Sequence, residues 1–210
     1  MAHLLLAMPV AACSATSSVE HSPAQFAPIQ STVTVEAGRD VVFNRLAAKL
    51  PAAGFTILEI DEGLKLLRVS LTTDAPDGYV DCGRSRRTFE GALGSIETFE
   101  YAPATSASYK LTSYAGVPLQ ATRDVVLRAT ATVRTQPQEA MTEVSVDVSY
   151  DLSAMIGYLE LGMFGSPTGE VQTVVREIHF QTAEPGTGDE EVAFCMSNGK
   201  LEAQILELAT

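Results

Sequence analysis

Two runs of strict alternation limit what this chain can fold into more than any other feature. In residues 125–134, Leu127, Ala129, Ala131 and Val133 fall on one side; in residues 141–150, Val144, Val146, Val148 and Tyr150 do so. Successive side chains of a β-strand point to opposite faces, so a period of two marks a half-buried strand. Gln136-Pro137-Gln138-Glu139 lies between the runs and predicts a hairpin. A slip of one residue would turn every apolar side chain of the pair to water. An antiparallel sheet with one buried face is therefore expected.

Earlier in the chain a helix is expected, its stripe buried on one face of the hairpin that follows it. Val42, Phe43, Leu46, Ala47 and Leu50 recur at helical spacing, with Asp40 placed to cap the first turn and Pro51 and Gly54 to stop the last. Residues 55–60 and 64–71 then read as two strands joined by a tight turn at Asp61-Glu62-Gly63. Weaker strand signals cover 88–93, 96–101 and 107–113, residues 157–169 read as a Gly-rich loop, and 172–182 mix strand and helix signals. Ser197 is placed to cap a C-terminal helix with Leu201, Ile205 and Leu208 on one face. The class expected from this order is α+β: an antiparallel sheet with an N-terminal helix-hairpin unit and a C-terminal helix packed on one face.

The first thirteen residues carry a different signal. An apolar run over 4–12 ends in Val10-Ala11-Ala12 directly before Cys13. It is too short to span a bilayer, which takes about 20 apolar residues, and it resembles the lipobox of bacterial lipoproteins. That resemblance implies that residues 1–12 are a signal peptide and that Cys13 becomes a lipidated N-terminus. It also implies attachment to the periplasmic face of the outer membrane, because Ser14 rather than an aspartate follows the cysteine. A buried N-terminal strand or helix is the alternative. Residues 14–31, rich in Ala, Ser, Thr, Pro and Gln, read as flexible. The expected organisation is a signal peptide at 1–12, a tether at 13–31 and one domain at 32–210.

Charge narrows the partners. Lys and Arg number 14 against 26 Asp and Glu, a formal net charge of −12. Such a surface repels phosphate backbones, so nucleic acid is not expected as a partner. It offers no polybasic patch to an anionic leaflet either, so membrane attachment would rest on the lipid. With Cys13 acylated, Cys82 and Cys195 form an even remainder in an oxidising compartment, which suggests a disulfide. The loop it would close, about 114 residues, is worth roughly 4–5 kcal/mol in the chain-entropy model. Two buried free thiols are the alternative.

Residues 42–69, helix followed by hairpin, are similar to a unit of envelope lipoproteins in which the second strand follows an Asp-x-x-Gly-like turn. The family this resembles is that of BamC-like accessory lipoproteins of the outer-membrane β-barrel assembly machine, whose domains have a helix-grip fold. The resemblance implies a helix-grip-like architecture and other envelope proteins as partners.

Chemistry is sparse. The three histidines are His3, His21 and His179, and no GxSxG, HExxH, GxGxxG or P-loop motif occurs. Asp74, Asp77 and Asp81 lack the spacing of an EF-hand and read as a solvated turn, and Glu184, Asp189, Glu190 and Glu191 as an exposed acidic loop. Arg84, Arg86 and Arg87 stand against the acidic background as a phosphate or carboxylate grip, or as charges on an edge strand. Ile156, Tyr158, Leu159, Leu161, Met163 and Phe164, set among glycines, form a candidate partner-contact surface, with a loop covering the core as its alternative. No enzymatic activity, cofactor or metal is expected. The function expected is that of an accessory or scaffold subunit of an envelope assembly or transport complex, with a small-molecule or lipid-binding module as the alternative.

Overall fold

The computed structural model describes residues 14–25, 27–162, 165–189 and 194–210. The chain begins with β1 (Thr16–Ser22), β2 (Thr32–Val35), α1 (Arg39–Ala52), β3 (Thr56–Asp61) and β4 (Leu66–Thr73). A short 3-10 turn, Pro76–Gly78, leads to β5 (Val80–Asp81), β6 (Arg84–Glu90), β7 (Ile96–Tyr101) and β8 (Ala107–Thr112). Two strands of 21 residues follow, β9 (Pro118–Gln138) and β10 (Met141–Leu161). The chain closes with β11 (Pro167–Gln181), β12 (Gly186–Thr187), β13 (Phe194–Ser197) and α2 (Lys200–Ala209).

The β9–β10 hairpin is the spine. Leu127 pairs with Leu152, Ala129 with Tyr150, Ala131 with Val148 and Val133 with Val146, all turned inward and buried. The loop is only Glu139-Ala140, between the Gln138–Met141 pair, with Glu139 at φ 54° as a two-residue hairpin turn requires. Each spine strand outruns its neighbours, so its flanking strands change halfway along. β9 is bordered by β4 over 127–134 and by β8 over 118–123, while β10 is bordered by β2 over 142–145 and by β11 over 149–161. With β3 beside β4 this makes a seven-stranded sheet. β1-β6-β7 and β12-β13-β5 form two further three-stranded sheets, and all the pairings are antiparallel.

The helices lie over the half of the spine nearest the β9–β10 turn. Val42, Phe43, Leu46 and Leu50 of α1 and Leu201 and Ile205 of α2 are buried against it, and Leu208 is partly so. The space between helix and sheet is therefore filled by side chains. Arg45 of α1 donates through Nη1 to the carbonyls of Ala209 and Thr210 at 2.6 and 2.7 Å, satisfying groups that the end of α2 leaves open. The expected caps shift: Gly38 and Gly199 precede the helices, Asp40 sits in the first turn of α1 paired with Lys65 at 2.9 Å, and Ser197 lies in β13. The Lys65 ammonium holds the Asp40 carboxyl below the ordinary carboxylate range.

The expected α+β, helix-grip-like class is overturned. Of the described residues 58% are strand and 14% helical, with two helices laid on several antiparallel sheets. The reason is strand formation where the alternation is weak or interrupted. Thr16–Ser22, expected in the tether, pairs along its whole length with β6, and the segment expected to mix helix with strand is the strand β11. Residues 157–161, expected as loop, continue β10.

Candidate functional site

Away from the helices, β6 and β7 lie over β8 and β9 and are fastened there by a stack of four buried side chains. The Arg87 guanidinium lies 4.7 Å from the centroid of Tyr109, Tyr109 stacks on Tyr101 at 5.0 Å, and Arg123 lies 5.5 Å from the Tyr101 centroid. Arg87 Nε donates to Tyr101 Oη at 3.1 Å, and Arg123 Nη2 donates to the Pro103 carbonyl at 2.6 Å. Desolvated cation–aromatic contacts of this kind are worth up to about 2 kcal/mol each. One residue comes from each of β6, β7, β8 and β9, so the stack rivets the small sheet to the large one.

Beside this filled interior an open cleft of about 1060 Å³ runs between β1 and β11. Ser17 and Val19 of β1, Thr112 and Tyr114, Tyr158 and Glu160 of β10, and Glu170, Gln172 and Arg176 of β11 line it. Ser17 Oγ is 3.0 Å from Thr112 Oγ1 and accepts the Thr112 N–H at 3.0 Å, and Arg176 Nε meets Asp189 at 2.7 Å. No histidine or cysteine is among the described lining residues. Hydroxyls, amide and paired charges suit hydrogen bonding to an extended polar chain. A histidine–serine contact exists elsewhere, His21 Nδ1 to Ser85 Oγ at 2.8 Å, but Ser85 is buried and its hydroxyl is not presented to a substrate.

Both flanks of the cleft are sheet edges. Among the described residues β1 pairs as a strand only with β6, and β11 only with β10 apart from the bridge of its last residue, Gln181, to Glu184. Residues 167–177 of β11 are exposed on both faces, apart from a half-buried Val174. On the face opposite the cleft, exposed Val175 pairs with exposed Met155, and exposed Val171 and Val126 extend the stripe across three strands.

The sequence-predicted sites fare unevenly. Cys82 and Cys195 form a disulfide with their Cα atoms 4.0 Å apart, tying the approach to β6 to β13 and to the start of α2. Cys13, Met163 and Phe164 lie outside the described residues. The remaining contact candidates do not share an exposed surface: Ile156 and Leu161 are buried, and Tyr158 and Leu159 are half-buried. Strand alternation is the cause, since even positions of β10 face inward as far as Ile156. Beyond Ile156 the alternation lapses and Leu161 is buried at an odd position; the pairing with β11 shifts between Tyr158 and Glu160, with the extra residues in β11, while β10 keeps its register with β9. The same alternation presents Met155, which a strand ended at Tyr150 conceals.

The arginine triplet is dispersed likewise. Arg84 is exposed, Arg86 faces Glu100 at 3.9 Å, and Arg87 is buried in the stack, in a strand central to its sheet rather than at an edge. Asp81 accepts N–H bonds from Gly83 at 2.8 Å and Gln25 at 3.4 Å. His179 pairs with Asp151 at 2.8 Å on an exposed face. Among the described residues no three acidic, histidine or cysteine side chains gather as a metal site, and no helix is long and apolar enough to cross a membrane. No family model matches the chain, and no curated protein or solved structure does.

Proposed function

We propose that this chain is a lipid-anchored envelope protein on the periplasmic face of the outer membrane that works without chemistry of its own. It holds an extended segment of another envelope protein along β11. The observation that carries this reading is the conjunction at β11: a 15-residue strand with an open outer edge, a hydrogen-bonding cleft on one face and the Val126–Met155–Val175–Val171 stripe on the other. An open edge presents unpaired N–H and C=O groups to an incoming strand, and flanking side chains select its sequence. The small-ligand alternative, with its cavity between helix and sheet, has less support, because Leu46, Leu50, Leu201 and Ile205 fill that space.

The test has two arms. Palmitate incorporation should vanish in Cys13→Ala. Val171→Lys with Val175→Lys should abolish recovery of the partner from solubilised envelope while leaving stability within about 0.5 kcal/mol, as exposed sites usually do. A folded double variant that still recovers every partner of the wild type refutes the β11 reading.

A further inference from the structure

Two hairpin turns and the start of β1 meet at the end of the molecule remote from the helices. Thr16 pairs with Glu90, and Glu90 with Ile96, which sets the β6–β7 turn at 91–95 beside the first residue of β1. The Ser17–Thr112 hydroxyl contact, 3.0 Å, brings the β8–β9 turn at 113–117 to the same place. This rim is apolar at its tips: Leu93 is 83% exposed, Ile96 68%, and Tyr114 fully so. The apolar run that ends at Cys13 leaves only Ser14 and Ala15 before Thr16, so the two Cα atoms are at most about 11 Å apart.

We propose that this rim docks on the bilayer surface, with Leu93, Ile96 and Tyr114 entering the headgroup region once Cys13 carries its lipid. The proposal rests on the lipoprotein reading above. An anchor joined to β1 through two residues cannot hold the body clear of the membrane, and these turns flank the residues at which β1 begins. A tyrosine tip suits the interface, its ring facing the acyl boundary and its hydroxyl the water. Exposed Glu90 stands at the foot of the β6–β7 turn, and Lys110 nearby is held by Glu97 at 2.6 Å. The rim therefore lacks the basic cluster that anionic lipid selects, and its docking is apolar and indifferent to salt.

The chain has no tryptophan, so Leu93→Trp supplies a single reporter on the rim and Leu64→Trp, exposed in the β3–β4 turn, a control. Leu66 pairs with Arg134, about 50 Å of strand away from Pro118 at the rim end of β9. Each full-length variant is purified from the envelope and placed in phosphatidylethanolamine–phosphatidylglycerol vesicles containing brominated lipid. Emission from position 93 should shift to the blue and be quenched at least threefold more than from position 64, equally at 50 mM and 500 mM salt. Adding Ile96→Asp and Tyr114→Asp should abolish the difference. Equal quenching at the two positions overturns the proposal. So does a blue shift that grows with protein concentration without vesicles, which would make a second copy the occupant. The mass of the N-terminal peptide reports acylation separately. If Cys13 is unmodified, the lipoprotein reading fails, and the same protein is coupled through that thiol to a maleimide lipid so that docking is still decided.

Discussion

The Tyr150 hydroxyl donates to Glu202 Oε1 at 2.8 Å, joining the middle of the spine strand β10 to the first turn of α2. Both residues are buried. The same carboxylate accepts from Thr182 Oγ1 at 2.8 Å and from Ser197 Oγ at 3.1 Å, so one acid gathers hydroxyls from three separate parts of the chain. Its place in the first turn of α2 is favourable, because the helix N-terminus attracts negative charge. Tyr150→Phe should cost about 1.5–3 kcal/mol, the usual range for a hydrogen bond to a charged group. Glu202→Ala should cost more, since it takes this acceptor from the buried Tyr150 and Ser197 hydroxyls and from the half-buried Thr182 hydroxyl. Urea denaturation of the two single variants and the double variant should show a coupling of at least about 1 kcal/mol; additive losses would mean the bond contributes nothing of its own.

Stability should also fall in alkali through Tyr150. Burial first, and then the charge of Glu202, raise its hydroxyl well above the ordinary tyrosine value of 10.0. The folded protein thus keeps a proton that the unfolded chain releases near pH 10. The stability this confers is complete below that pH and is lost progressively above it. The gap between wild type and Tyr150→Phe, followed by denaturation from about pH 8 to 12, should close as pH rises. A constant gap would contradict this.

The Cys82–Cys195 bond closes a long covalent loop, with a sequence separation of 113. Replacing both cysteines by Ala should lower stability by about 2–5 kcal/mol. Neither thiol should react with an alkylating reagent until the protein has been reduced.

Gly83 turns the chain beside Cys82 at φ +69°, and a Cβ there would collide with the Ser22 carbonyl oxygen. Gly83→Ala should therefore destabilise the junction of β1 and β6 by about 1–3 kcal/mol. Hydrogen exchange should show the loss first in residues 16–22 and 84–90.

The sequence revealed its strongest periodicities, the β3–β4 hairpin, the C-terminal helix and the Cys82–Cys195 pairing. Leu127 to Val133 and Val144 to Tyr150 alternate without exception, and they mark the centres of β9 and β10. Val42, Phe43, Leu46 and Leu50 sit on the inner face of α1, as their spacing requires. What stayed hidden depends on contacts far apart in the chain. β1 contains Ser, Thr, Glu and His and becomes a strand because β6 lies beside it, 64 residues away at the His21–Ser85 contact. The shift in the pairing of β10 with β11 between Tyr158 and Glu160 is announced by no periodicity. The Arg87–Tyr109–Tyr101–Arg123 stack brings together four strands whose proximity only the fold creates. The contact stripe was the exception. Extending the odd–even pattern of β10 past Tyr150 would have placed Met155 outside and Ile156 inside.

The role proposed for β11 is tested most directly by photo-crosslinking in intact envelopes. Benzoylphenylalanine would be placed at Val175, at Val171, or at Leu58, which is exposed on β3 in the helix-bearing half. Positions 171 and 175 should crosslink to one envelope protein within a single extended peptide of it, and position 58 should not. Crosslinks from position 58 alone, or none from 171 and 175 in a correctly folded and membrane-bound protein, would contradict a partner held along β11.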